Sequence, residues 1–288
     1  MAIFEVELDK WNKALEATPE DVAARLSRAN LYVETECYAE AEADFSELLA
    51  RDPHEVAALF GRGSLYGRMK RYAEALKDLN AALECEASAE IFNNRGNVLD
   101  GLGQHQAAIA DYSQALELAG SPVPGSETNR NLAVYYKNRG ISQRESGEYG
   151  AAFADFDEAL RLQNDFADAY VQRGLTYAAM GDPVAAIEDF DVAIALDPTS
   201  PVIYYNRALA HRRSNNLNGA IADYSSAIEL SGQTPSGPMP EALFNRAALY
   251  RAIHRLVEAT NDLHVLLALP ELAGVYRDRA EKLLAQLS

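Results

Sequence analysis

The sequence has little of what usually announces catalysis, export or nucleic-acid binding. Only two of its 288 residues are cysteines, Cys37 and Cys85, which lie far apart and outside any Cys-x-x-Cys or Cys/His spacing. Neither a disulfide framework nor a thiolate metal site is expected, and the usage suits a reducing compartment. No GxSxG, GxxxxGK or HExxH motif occurs, and His54, His105, His211, His254 and His264 show no ligand spacing. The reading is therefore a non-enzyme with no catalytic residues, no cofactor and no metal. No apolar window reaches the roughly 18 residues of a membrane span. The opening residues carry Glu5, Glu7 and Asp9 where a signal peptide has a basic start, so a cytoplasmic location is expected. Basic residues are scarce as well, 26 against 43 acidic, for a net charge of -17. That balance disfavours nucleic acid and acidic membrane surfaces as partners. An apolar fraction of 48% with 24% charged residues nevertheless belongs to a folded chain.

What the sequence has in excess is alanine, 50 residues placed with a period. An Arg followed by a small residue recurs as Arg28-Ala29, Arg62-Gly63, Arg95-Gly96, Arg139-Gly140, Arg173-Gly174, Arg207-Ala208 and Arg246-Ala247. Twelve residues after each small residue comes Ala41, Ala75, Ala108, Ala152, Ala186, Ala220 or Ala259, and four further on a large apolar or aromatic residue: Phe45, Leu79, Tyr112, Phe156, Phe190, Tyr224 or Leu263. Apolar residues at three- and four-residue spacing on both sides of a short break predict a pair of antiparallel helices per repeat. Gly103, Gly147 and Gly181 mark the break, and Pro53 and Pro198 follow second helices they cannot continue. Small residues let the paired backbones approach, and the aromatic residues fill the space beside them.

With these positions the chain resembles the tetratricopeptide repeat family, whose pattern has an aromatic residue or Leu at position 4, Gly or Ala at 8, Ala at 20 and 27, and Pro at 32. The stretch ADAYVQRGLTYAAMGDPVAAIEDFDVAIALDPTS, residues 167–200, matches nearly throughout. The resemblance implies an all-α fold, an α-α superhelix (solenoid) of seven helix-turn-helix repeats over residues 22–272, starting near 22, 56, 89, 133, 167, 201 and 240. A capping helix is expected at each end, 1–21 and 273–288, covering an otherwise exposed apolar face. Turn-rich inserts at 120–126 and 232–240 stretch two of the spacings. Each follows a helix containing the hexapeptide AIADYS, at 108–113 and 220–225, which suggests duplication of a three-repeat block. The inserts read as longer connections or as two loops on one rim that meet a partner.

Two further regularities bear on function. Every repeat pairs its Arg at position 7 with an Asp at position 23, namely Asp44, Asp78, Asp111, Asp155, Asp189, Asp223 and Asp262. The sixteen-residue separation predicts bidentate ion pairs across facing helices that fix the fold and bind no ligand. At position 6, on the inner surface of proteins of this family, stand Asn94, Asn138, Gln172, Asn206 and Asn245. A row of primary amides can pair with the backbone of an extended ligand, and resembles the asparagine ladder of the glycosyltransferase that attaches N-acetylglucosamine to proteins. Nearby inner positions supply Lys137, Arg144, Tyr205, Arg212, Arg213, Phe244 and Arg251. Residues 1–88 carry 10 basic and 18 acidic side chains, residues 201–288 nine and eight, so the basic inner surface lies toward the C-terminal half. A carboxylate clamp of the co-chaperone kind is not expected, because Ile141 follows Lys137 where Asn is required, and Asp168 and Val202 replace the basic residue at position 2. His211 and Gln143, at the usually apolar position 11, read as hydrogen-bonded core residues. The expected function is a protein-protein interaction scaffold or adaptor whose concave groove holds an extended, acidic or tyrosine-contacting peptide segment of a partner, the scaffold itself being a monomer. The alternative is a structural assembly unit acting through its terminal faces and acidic back.

Overall fold

A computed structural model describes residues 2–122, 127–234, 237–270 and 272–287. Among these residues every regular element is an α-helix, and the chain divides into two compact units, Met1–Ala151 and Ala152–Ser288. The first holds α1 (Ala2–Ala17), α2 (Val22–Glu34), α3 (Tyr38–Arg51), α4 (Val56–Arg68), α5 (Tyr72–Cys85), α6 (Ala89–Gly101), α7 (His105–Ala119) and α8 (Glu127–Glu145). Helix α9 (Tyr149–Leu162) runs across the division. The second unit continues with α10 (Ala167–Met180), α11 (Pro183–Leu196), α12 (Pro201–Arg213), α13 (Leu217–Gly232), α14 (Pro240–Ala252), α15 (Leu256–Leu267) and α16 (Gly274–Leu284). Residues 123–126 and 235–236 of the two inserts lie outside the described residues, and with them the reading of two loops on one rim.

Within each unit a first helix packs antiparallel on the second helix of its repeat, and successive first helices lie side by side: α2, α4, α6 and α8 in one unit, α10 with α12 and α14 with α16 in the other. The core follows the alanine period. Ala41, Ala75, Ala108, Ala152, Ala186, Ala220 and Ala259 are fully buried, as are Phe45, Phe156, Phe190 and Tyr224. Burying one such aromatic contributes about 1.5–3 kcal/mol. Helix α8 begins at Glu127, six residues ahead of the expected start at 133. Residues 127–139 contain neither Pro nor Gly, so nothing in the chain opposes the extra turns.

The break between paired helices has one geometry in all seven repeats. Position 15 is left-handed at Gly103, Gly147 and Gly181, with φ of 72, 81 and 83°, and equally at Glu36, Lys70, Asn215 and His254, with φ of 58 to 60°. The next residue then donates its backbone N–H five residues back, as in Cys37 to Tyr32 at 2.9 Å and Asn216 to His211 at 2.8 Å, which closes the helix end. Left-handed geometry costs a non-glycine residue about 1–2 kcal/mol, and the closing hydrogen bond and hairpin packing offset it.

Six of the seven expected ion pairs are described. Arg28 grips Asp44, Arg62 Asp78, Arg95 Asp111, Arg173 Asp189, Arg207 Asp223 and Arg246 Asp262, each through Nε and Nη2 at 2.7 to 3.0 Å. All six of these aspartates are buried. Hydrogen bonding to the carboxylate holds the Arg28, Arg62, Arg95, Arg173 and Arg207 guanidinium groups above their ordinary pKa. The third nitrogen, Nη1, reaches back to the preceding second helix. It donates to Asn12, Ser46, Asn80, Ser113, Asp157, Asp191 and Ser225 from Arg28, Arg62, Arg95, Arg139, Arg173, Arg207 and Arg246 in turn. The arginine therefore fixes both its own hairpin and the register to the one before, and its planar five-donor fork suits that double task.

Candidate functional site

In the first unit the side chains on α4, α6 and α8 form a polar network. Asn94 donates its amide to Ser64 Oγ at 2.8 Å and accepts from Asn93 at 3.3 Å. One helix on, the Asn138 amide donates to Asn93 Oδ1 at 2.9 Å and Asn97 Oδ1 at 3.2 Å. Asn97 in turn accepts from the Tyr112 hydroxyl at 2.8 Å, which also lies 3.0 Å from Asp100 Oδ2. Asp100 accepts from Ser142 Oγ at 2.6 Å and stands 2.9 Å from His105 Nδ1. Burial and the neighbouring Asp100 push the Tyr112 phenol well above its ordinary range. A cavity of about 300 Å³ opens on this face beside Ser64, Arg68, Tyr72, Asn94 and Asn97. Of the remaining expected residues of this unit, Lys137 is half-buried on α8, and Arg144 is paired with Glu145 at 2.9 Å. Gln143 is buried as expected of a core residue, but its Oε1 has no hydrogen-bond partner among the described residues, contrary to the hydrogen-bonded reading.

The second unit carries the other expected residues on α10, α12 and α14. Gln172 donates to Asp168 at 3.1 Å. Asn245 donates to the Tyr205 hydroxyl at 3.1 Å and accepts a long contact, 3.5 Å, from Arg212 Nη1. Tyr205 packs its ring 5.9 Å from that of Tyr224. Asn206, beside Tyr205, is half-buried, and its side chain makes no hydrogen bond among the described residues. Arg213 donates to the carbonyl of Ala178 near the end of α10 at 2.9 Å, and Arg251 donates to Gln286. Phe244 lies 6.3 Å from Tyr276 and under the Arg279 guanidinium at 5.7 Å. His211 contacts Asn216 at 3.2 Å and lies 3.7 Å from Asp223, as a hydrogen-bonded core residue would.

Tyr205, Arg212 and Asn245 are thus brought into one cluster, Phe244 stands with α16, and Asn94 and Asn138 are tied to each other through Asn93. Sequence reasoning missed Asn93, Asn97 and Asp100, although AsnAsn at 93–94 and Asn97 three residues on were visible signals. It also missed Arg279-Ala280 in the last helix, a further copy of the Arg-small pair. Among the described residues no group of three or more His, Cys, Asp or Glu could hold a metal ion, and no helix is long and apolar enough to cross a membrane.

Family profiles described as tetratricopeptide repeat match residues 8–55, 26–90 and 137–201, a second such profile matches 87–165, and a third 201–234. No curated protein matches the sequence. Among solved structures the chain is similar to YrrB, described as a tetratricopeptide repeat protein with an unusual peptide-binding site, at 26% identity and a TM-score of 0.50 over 65% of this chain and 92% of that one. It is also similar to a tetratricopeptide repeat protein from Parabacteroides merdae, at 20% identity and 0.63 over 92% and 98%. PilW, a type IV pilus biogenesis factor, follows at 21% and 0.67 over 75% and 96%. The repeat period, the helical hairpins and these matches agree, and the chain belongs to the tetratricopeptide repeat family.

Proposed function

We propose that the protein is a non-catalytic interaction scaffold that holds an extended peptide segment of a partner against the first-helix face of its second unit. One observation carries this reading: on that face an exposed arginine, Arg212, has no carboxylate partner among the described residues, beside the unpaired amide of Asn206 and the half-buried rings of Tyr205 and Phe244. Aromatic rings supply burial, amides pair with peptide backbone, and an uncommitted guanidinium selects an acidic partner. Asn94, Asn138, Lys137 and Arg144 form the corresponding face of the first unit, where the amides are already engaged, so peptide affinity is assigned chiefly to the second. YrrB, with its peptide-binding site, supports a groove of this kind in a similar chain. The two free thiols, Cys37 and Cys85, fit a reducing cytoplasmic setting. The test is capture of partners from native extract by the wild type and by a variant carrying Asn138→Ala, Asn206→Ala, Arg212→Ala and Arg213→Ala. A folded variant should lose the partner, and retention of the same partner by that folded variant would refute the assignment.

A further inference from the structure

The hexapeptide AIADYS occurs at 108–113 and at 220–225, and its two tyrosines meet different surroundings. Tyr112 is satisfied by Asn97 and Asp100 on the facing helix. Tyr224 is fully buried, and its hydroxyl has no hydrogen-bond partner among the described residues. The residues at the two equivalent places are Leu209 and Arg212, which offer no acceptor. The ring poses differ too. A Cβ on Gly96 would stand 2.7 Å from Cε1 of Tyr112, so the sixth repeat, with Ala208 at that place, cannot hold Tyr224 as the third holds Tyr112. Tyr224 instead lies against Tyr205.

Arg212 completes the picture. Its single hydrogen bond among the described residues, 3.5 Å to Asn245, is too long to hold it firmly, and Asn245 is anchored on the Tyr205 hydroxyl. Burial pushes the Tyr224 phenol up to about 12, and the Arg212 charge acts against that rise. The neighbouring acid, Glu241, acts on Tyr205 and Tyr276. An unpaired buried donor beside an uncommitted guanidinium is an arrangement that an anion with two acceptor oxygens completes.

We propose that Arg212 and the Tyr224 hydroxyl, flanked by Tyr205 and Asn245, form a subsite for one carboxylate of the bound segment. This rests on the groove reading and sharpens it. Arg212 swings from Asn245 to grip the carboxylate through two N–H groups, which uncovers the tyrosine hydroxyl to donate to one of its oxygens. Asn206 remains available for the adjoining peptide backbone. The carboxylate comes from an Asp or Glu side chain or from a chain terminus.

The two sources separate in one experiment. A positional-scanning library of fluorescein-labelled, N-acetylated dodecapeptides is prepared with C-terminal amides and again with free C-terminal carboxylates, and binding is read by anisotropy. Selection of Asp or Glu at one position of the amide library identifies a side-chain source; preference for the second library identifies a terminus. In either case the preferred peptide should bind about tenfold or more tightly than its Gln or amide counterpart. Arg212→Gln and Tyr224→Phe, each checked for an unchanged helical spectrum, should bring that preference below about threefold. Equal binding of acidic and neutral peptides by the wild type, or a preference untouched by both variants, would overturn the subsite and leave the groove standing. Failure of every peptide in both libraries to bind would overturn both readings.

Discussion

Tyr112 and Tyr224 occupy the same place in the same hexapeptide, yet one hydroxyl is tied to Asn97 and Asp100 while the other, on a side chain as deeply buried, has no partner among the described residues. The second helices carrying them are alike, so the difference is written on the facing first helices. Gly96, Asn97 and Asp100 in the third repeat become Ala208, Leu209 and Arg212 in the sixth. The third repeat spends its polar groups internally and gains rigidity. The sixth leaves a donor, a guanidinium and an amide uncommitted among the described residues, which costs stability and, on the proposal above, keeps them available to a ligand. A solenoid can thus alternate structural and receptive surfaces by changing three residues on one helix while the hairpin scaffold stays constant.

The scaffold should be equally strong on both sides of this comparison. Arg95→Ala and Arg207→Ala each leave a buried aspartate uncompensated and remove a tie to the preceding helix. Each should lower stability by about 3–5 kcal/mol in urea unfolding, the largest effects expected. A loss confined to one of them would show that the pairs are not equivalent and that the comparison of tyrosines is confounded.

The next effect belongs to the third repeat alone. Asp100→Ala removes the shared acceptor of Tyr112, Ser142 and His105, and should cost about 2–3 kcal/mol by thermal or chemical unfolding. Asn206→Ala, which breaks no hydrogen bond among the described residues, should stay within about 0.5 kcal/mol of the wild type. Gly96→Ala sharpens the packing side of the contrast. The added methyl group meets the Tyr112 ring at 2.7 Å, so it should destabilise by about 1–3 kcal/mol. A neutral result would mean that the ring has room to move to the pose of Tyr224.

Much of the fold was legible because its determinants repeat. The alanine period, the Arg-small pair and the Arg-Asp spacing each recur, and a residue that must pack against its own hairpin leaves the same mark in every copy. Other features leave no such mark. Glu36, Lys70, Asn215 and His254 take the left-handed turn that glycine signals elsewhere, because the backbone hydrogen bond that closes the helix is blind to the side chain. The acceptors for Nη1 vary among Asn, Ser and Asp, so only the geometry of neighbouring hairpins shows that they do one job. At the candidate site, the row of amides at position 6 was readable, but whether each amide is free or spent was not. Asn94 is spent on Ser64 of the preceding repeat and Asn138 on Asn93 and Asn97 of the repeat before its own, whereas the Asn206 side chain makes no hydrogen bond among the described residues. Tyr224 was equally hidden, since its own hexapeptide is identical to one whose tyrosine is satisfied.

The smallest effect is the most decisive. Tyr112→Phe and Tyr224→Phe delete the same oxygen from the same sequence context, and their unfolding midpoints can be measured side by side in urea. Tyr112→Phe should lose about 1–2 kcal/mol, because Asn97 and Asp100 lose a donor, while Tyr224→Phe should be neutral or slightly stabilising, because no bond is broken. Equal losses in the two variants would mean that the Tyr224 hydroxyl is already satisfied in the folded protein, and would contradict the division into a closed and a receptive repeat.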